Sequence, residues 1–133
     1  MYRVLFAVHP GRQGLDHQIR TIRALPHAAE EVSVSLLHVF SDNPRGLSVA
    51  QVDGVREAQR EFKQAGIHVD LEESSGSPVA EILNKADALD VDLICIGGRK
   101  RSPVGKALFG SVAQQVILSS ERPVLICNSD EGY

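Results

Sequence analysis

Cysteine is scarce in this chain: Cys95 and Cys127 are the only two in 133 residues. They are far apart in sequence, neither has a histidine or second cysteine close by, and each falls inside an apolar run. Two buried core thiols are therefore expected, not a redox or metal site. No two of the five histidines show metal-ligand spacing. Long apolar runs are missing too, so no membrane span is expected. The run Val4 to Val8 is too short for a signal-peptide core and no cleavage-site pattern follows it, which points to a cytoplasmic protein. The net charge of −3 gives no global pull toward nucleic acid or an anionic membrane. No long linker, composition break or internal repeat divides the chain. Residues 1–133 are expected to form one domain, large enough to bury a core without disulfides or metal.

Several chemical signatures are absent as well. A Walker loop would need Gly-Lys followed by Ser or Thr, but Gly105-Lys106 is followed by Ala107. The dinucleotide fingerprint is absent, and Gly11 to Gly14 is only a weak echo of it. Glu72 and Glu73 are adjacent, so on an extended chain they point to opposite faces and make a poor acid/base pair. Neither a Ser-His-Asp nor a Cys-His set is suggested, so an enzyme is not expected. His38, near the end of an interior strand, reads as a buried structural histidine. His17, His27 and His68 read as surface residues, and Ser74-Ser75-Gly76 as a loop leading to the Ser77 helix cap.

What is present is an alternation of short apolar runs and helical patterns. Val4–Val8 is of strand length. Leu15, Ile19, Ile22 and Leu25 then repeat with helical spacing, up to Pro26. Val32 to Phe40 alternates as a second strand. Val52, Val55, Ala58, Phe62 and Ala65 form a helical face closed by Gly66. Residues 67–71 read as a third strand, with His68 and Asp70 on one face suiting a sheet edge. Ser77-Pro78 opens a third helix, carrying Val79, Ile82, Leu83 and Ala86. Residues 92–98 are a fourth strand, Ser111 with Gln114 reads as a capping box opening a last helix, and 123–127 are a fifth strand. This order predicts an α/β fold: one doubly wound, Rossmann-like domain, a parallel sheet with helices on both faces. Ligands of such sheets bind beyond the carboxyl ends of the strands.

The stretch "GGRKRSPVGKALFGS", 97 to 111, leaves one of those ends. Gly97 and Gly98 allow close backbone approach. Arg99, Lys100, Arg101 and Lys106 can supply charge-assisted hydrogen bonds. Gly110 and Ser111 sit at a helix N-terminus, where free N–H groups attract an anion. A small anion suits this stretch. The alternative is a solvated basic loop before an ordinary helix cap.

The stretch resembles the G-x2-G-x9-G-[ST] signature of the UspA-type universal stress protein family, with Gly97 at its first glycine and Gly110-Ser111 at its end. "SLLHV" (35 to 39), "GSP" (76 to 78) and "RPVLIC" (122 to 127) are similar to other stretches of that family. The resemblance implies a five-stranded parallel sheet of order 3-2-1-4-5 and a homodimer paired through the last strand, here Val124, Leu125 and Ile126. It implies a stress-response module that binds ATP or AMP, with Mg²⁺ accompanying ATP, and acts on protein partners that the sequence does not name. In binders of the family the glycine stretch holds the phosphates, here Gly97, Gly98, Arg99, Lys100, Arg101, Gly110, Ser111 and Val112. The end of the second strand, Val39, holds the adenine through its backbone, and the end of the first, Ala7, Val8 and His9, the ribose or base region. Two positions depart from the pattern. Lys100 replaces the second signature glycine, and His9 stands where an acidic residue is usual. An interaction protein of the same fold with a degenerate site, or a slow ATP hydrolase, are the rival readings.

Overall fold

The computed structural model describes residues 1–9, 14–101 and 107–128, with side-chain surroundings for all of these except 99–101, 107–109 and 128. In chain order the elements are β1 (Tyr2–Ala7), α1 (Leu15–Arg23), α2 (Ala28–Glu31), β2 (Val32–Phe40), a 3-10 turn (Val49–Gln51), α3 (Asp53–Gln64), β3 (His68–Ser75), α4 (Pro78–Leu89), β4 (Leu93–Arg101), β5 (Ala107–Phe109), α5 (Ser111–Ser119) and β6 (Val124–Asn128). Five strands pair in parallel in the order β3-β2-β1-β4-β6. This is the predicted order, with β6 as the fifth parallel strand.

Strand alternation divides the core into two layers. Val4, Phe6 and Val8 face α1 and α3, joining Leu15, Ile19, Ile22, Val55, Ala58 and Phe62. Leu5 faces α4 and α5, joining Leu37, Ile82, Ala86, Ile94, Ala113 and Val116. Phe6 and Phe62 are fully buried and meet edge to face, with ring centroids 5.4 Å apart, a favoured aromatic geometry.

The ends of α3 follow the expected chemistry. Gly66 adopts φ +75, its N–H bonds Lys63 O, and the Ile67 N–H bonds Phe62 O. These two bonds make a Schellman motif, which needs the left-handed backbone that glycine takes at little cost. Before α3, a capping box forms at Ser48 and Gln51 around the 3-10 turn. At the amino-terminal end of the sheet, Arg122 ties α4 to the start of β6. It donates to Val91 O and to the carboxylates of Asp87 and Asp90.

The structure corrects four expectations. First, α1 stops at Arg23, short of Pro26, and the short helix α2 intervenes before β2. Second, β3 runs on to Ser75, so Ser74 and Ser75 pair with Val39 and Phe40 and do not belong to a loop. Third, Ser111 forms no capping box. Gly110 takes the cap position without a side-chain hydrogen bond, because its own carbonyl accepts the Gln114 N–H and starts the helix one residue early. Fourth, β4 passes Gly98 and returns as a hairpin, with Arg99↔Phe109, Lys100↔Leu108 and Arg101↔Ala107 antiparallel.

Phe62→Ala should lower unfolding stability by about 3–5 kcal/mol, the transfer loss plus the cavity left against Phe6. A urea titration measures it, and a surface-like change of about 0.5 kcal/mol or less would contradict this packing.

Candidate functional site

β1 and β4 are the two strands between which the sheet's connections diverge to opposite sides. Their register runs Val4↔Leu93, Leu5↔Ile94, Phe6↔Cys95 and ends there. β1 continues against β2, with the Val8 N–H donating to Leu37 O at 2.9 Å. The opening between β1 and β4 is closed from below by Gln18 of α1, only 1% exposed. Its Nε2 donates to Ala7 O at 3.1 Å and to Cys95 O at 3.2 Å. One amide thus satisfies two carbonyls where the ladder stops, which removes the cost of burying them unpaired. A crevice at such a switch point is where doubly wound sheets bind ligands. Gln18 was not singled out in the sequence. The available signal was a polar residue inside the apolar stripe Leu15, Ile19, Ile22.

Beyond Cys95, β4 makes a bulge. Gly97 pairs with Cys127 and Arg99 with Asn128, while Gly98 between them takes φ +126. Only glycine adopts that backbone readily, and bulges of this kind bend a strand next to a site. The Gly110 N–H then donates to Gly98 O at 2.8 Å. This bond pinches the base of the hairpin and brings Gly97-Gly98 beside Gly110-Ser111. Lys100 lies in the extended part of β4, opposite Leu108. Its position does not call for the left-handed backbone, so a lysine is accommodated where the family signature has glycine. Lys106 and Gly105, like Gly11, lie outside the described residues.

The other predicted site residues are placed as follows. Ala7 carries a carbonyl occupied by Gln18. Val8 is buried, its N–H used by β2. His9 is exposed at the end of β1. Val39 is half-buried, in register with Ser74 at the carboxyl end of β2. Gly110 and Ser111 are exposed and Val112 is half-buried, all at the start of α5. The first turn of α5 leaves its N–H groups directed away from the helix, the geometry that suits an anion. His17 proves half-buried, and His27 and His68 are exposed.

His38 is buried, as expected. Its Nδ1 lies 3.3 Å from Val8 O, and its ring meets Phe40 edge to face. A carbonyl only accepts, so Nδ1 carries the proton and Nε2 presents a lone pair. Burial pushes the imidazole below its ordinary pKa; the bond to Val8 opposes this and the nearby His9 reinforces it. His38 and Phe40 line a concavity of about 450 Å³ at the end of β2, shared with Arg45, Leu47, Val52 and Asp53. Among the described residues no group of three or more His, Cys, Asp or Glu side chains could hold a metal ion. No helix among them is long and apolar enough to cross a membrane.

A five-stranded, doubly wound parallel sheet with a glycine-pinched hairpin rising from its switch-point strand defines a Rossmann-like domain. The model of the universal stress protein family matches residues 3–128. A universal stress protein of Mycolicibacterium smegmatis is 36% identical over 116 residues, 86% of each chain. The chain belongs to the universal stress protein family. Among solved structures, a universal stress protein from Archaeoglobus fulgidus superposes with a TM-score of 0.72 at 29% identity, covering 96% of this chain and 98% of that one. A universal stress protein of the same organism in complex with dAMP superposes with a TM-score of 0.64 at 25% identity, covering 96% and 98%.

The lowered pKa of His38 sets a pH dependence. The unfolded imidazole titrates near its ordinary value of about 6.5. The folded one takes its proton only at lower pH, so the unfolded chain binds more protons in the window below about 6.5. Stability is therefore full above that pH and falls as pH drops through the window, by at most about 1.4 kcal/mol per pH unit for one group. Urea midpoints at pH 7.5 and 5.5 should fall further for wild type than for His38→Gln. Equal pH dependence would show that His38 is not held neutral by the fold.

Proposed function

We propose that this protein is a stress-response regulatory module that binds ATP or AMP at the β1/β4 crevice and works as a homodimer. The carrying observation is the Gly110 N–H to Gly98 O pinch. It sets the free N–H groups of α5 beside the glycine bulge, at the root of a strand carrying Arg99, Lys100 and Arg101. In this reading Gly97, Gly98, Gly110, Ser111 and Val112 cradle the phosphates, and the three cations meet their charge. Val39 offers backbone to the adenine, and Ala7, Val8 and His9 bound the ribose side. The dAMP complex of the Archaeoglobus fulgidus relative supports an adenine nucleotide as the ligand class. Mg²⁺ would ride on the phosphates of ATP, since the described residues provide no metal cluster of their own. Nucleotide state would alter contacts with protein partners in the cytoplasm, with residues 1–133 acting as one domain. In this reading the module signals by binding and does not work as an enzyme.

β6 supports the dimer. Among the described residues it has β4 as its one strand neighbour. Val124, Leu125 and Ile126 are half-buried, and α5 beside it exposes Ile117 and Leu118, the latter by 78%. An unpaired apolar edge is a template for pairing with another chain, and a second copy pairing there would cover it.

Denaturing the purified protein and chromatographing the extract for nucleotides tests the reading first. In calorimetry, Ser111→Ala should leave a folded protein that binds ATP about 10- to 150-fold more weakly, the loss of one hydrogen bond to a charged group. Lys100→Ala should weaken ATP more than AMP. No binding of either nucleotide by wild type would make the protein an interaction module with a degenerate site.

Wild type should sediment as a dimer at micromolar concentration. Val124→Lys and Ile126→Lys, which place a charge in the paired edge, should move the population toward monomer. A monomeric wild type would refute the pairing.

A further inference from the structure

Cys95 and Cys127 are distant in sequence, yet their Sγ atoms lie 3.8 Å apart. Cys95 stands opposite Leu125 and Cys127 opposite Gly97, so the two are diagonal neighbours on one face of the parallel pair β4 and β6. Both are free thiols, 0% and 3% exposed, inside the layer covered by α1. They are the only cysteines of the chain, and the proposed nucleotide contacts use neither side chain.

We propose that Cys95 and Cys127 are a redox-active dithiol that oxidises to an intrachain disulfide, stapling the edge strand β6 to the strand that carries the glycine bulge. A disulfide needs an S–S separation of about 2 Å, so the two sulfurs have to approach by less than about 2 Å, through side-chain rotation and adjustment of the two strands. The two thiols are also unequal. A sulfur–sulfur hydrogen bond links them, and either thiol can be its donor. The contact with Cys127 and deep burial push the Cys95 thiol well above its ordinary value. Cys127, the less buried of the two and one residue from the end of β6, is assigned as the attacking sulfur. Hydrogen peroxide is small enough to reach Cys127 through local opening of the packing around it.

The oxidant class is a hydroperoxide. The Cys127 thiolate attacks the terminal oxygen, the O–O bond breaks, and the other oxygen leaves, taking a proton, as water or alcohol. Cys127 is then a sulfenic acid. The Cys95 sulfur attacks Cys127 Sγ, the S–O bond breaks, and hydroxide leaves as water with the Cys95 proton. Two thiols lose two electrons and two protons, and the hydroperoxide is reduced to water or to water and an alcohol. A dithiol reductant reverses the bond.

The test uses the full native chain, hydrogen peroxide, an alkylating quench and intact mass spectrometry, with circular dichroism on the same samples. The expected product has lost two hydrogens, takes no alkyl group, keeps its folded spectrum and returns to the dithiol with dithiothreitol. Non-reducing digestion should join the Cys95 and Cys127 peptides. Cys95→Ser should stop at a sulfenic acid trapped by dimedone, and Cys127→Ser should react at least about tenfold more slowly than wild type. The wild-type measurement decides the matter if either variant fails to fold. Disulfide-linked dimers, a sulfinic acid product, no oxidation, or an intrachain bond that forms only after the folded spectrum is lost would each overturn the proposal.

Discussion

A single side-chain amide organises the end of the sheet where the site lies. In a doubly wound sheet the connections leaving two adjacent central strands depart in opposite directions, and the ladder between those strands must stop. Here it stops after Phe6 and Cys95, and the Gln18 amide takes up the carbonyls of Ala7 and Cys95. Without that amide, two polar groups beside a packed core would need water or a backbone shift. With it, β1 and β4 separate at a defined point and the crevice has a fixed floor. The same bond ties α1 to both strands, so the helix that completes the Phe6 layer also positions the site.

Above that floor, the geometry of residues 97 to 111 depends on where the left-handed backbone is needed. It is needed at Gly98, which takes φ +126 in the bulge and gives its carbonyl to Gly110. It is not needed at Lys100, which continues β4 in extended form against Leu108. A glycine-rich stretch can therefore lose one glycine and keep its shape, provided the loss falls in the paired arm of the hairpin. The substitution adds a cation to a segment already carrying Arg99 and Arg101, close to a helix N-terminus that favours negative charge.

The parallel sheet was legible in the sequence because its signals are local and strong. The apolar runs of β1 and β4, the alternation of β3 and the glycine after α3 each follow from burial or backbone conformation. Strand order followed from polarity, with the polar-faced third strand at an edge, and from the family resemblance. Features that depend on distant partners were not legible. The Ser111 cap failed because Gly110 is held by Gly98, which is remote in sequence. The β4–β5 hairpin was hidden because a run of cations reads as loop until its pairing partner is known. The proximity of Cys95 and Cys127 depends on the register of β4 with β6, which sequence spacing does not reveal. Gln18 could have been found, since a glutamine on the buried stripe of an amphipathic helix needs a partner inside the fold.

An adenine nucleotide is proposed to bind where β1 and β4 separate, against the glycine bulge and the start of α5. The most direct measurement is an amide ¹H–¹⁵N titration of the full chain with AMP. Saturable shifts are expected at Gly97, Gly98, Gly110, Ser111 and Val39, and none along the β3 edge at His68 to Asp70. Saturable shifts confined to the concavity around Leu47 and Val52, or no saturable shifts at all, would contradict it.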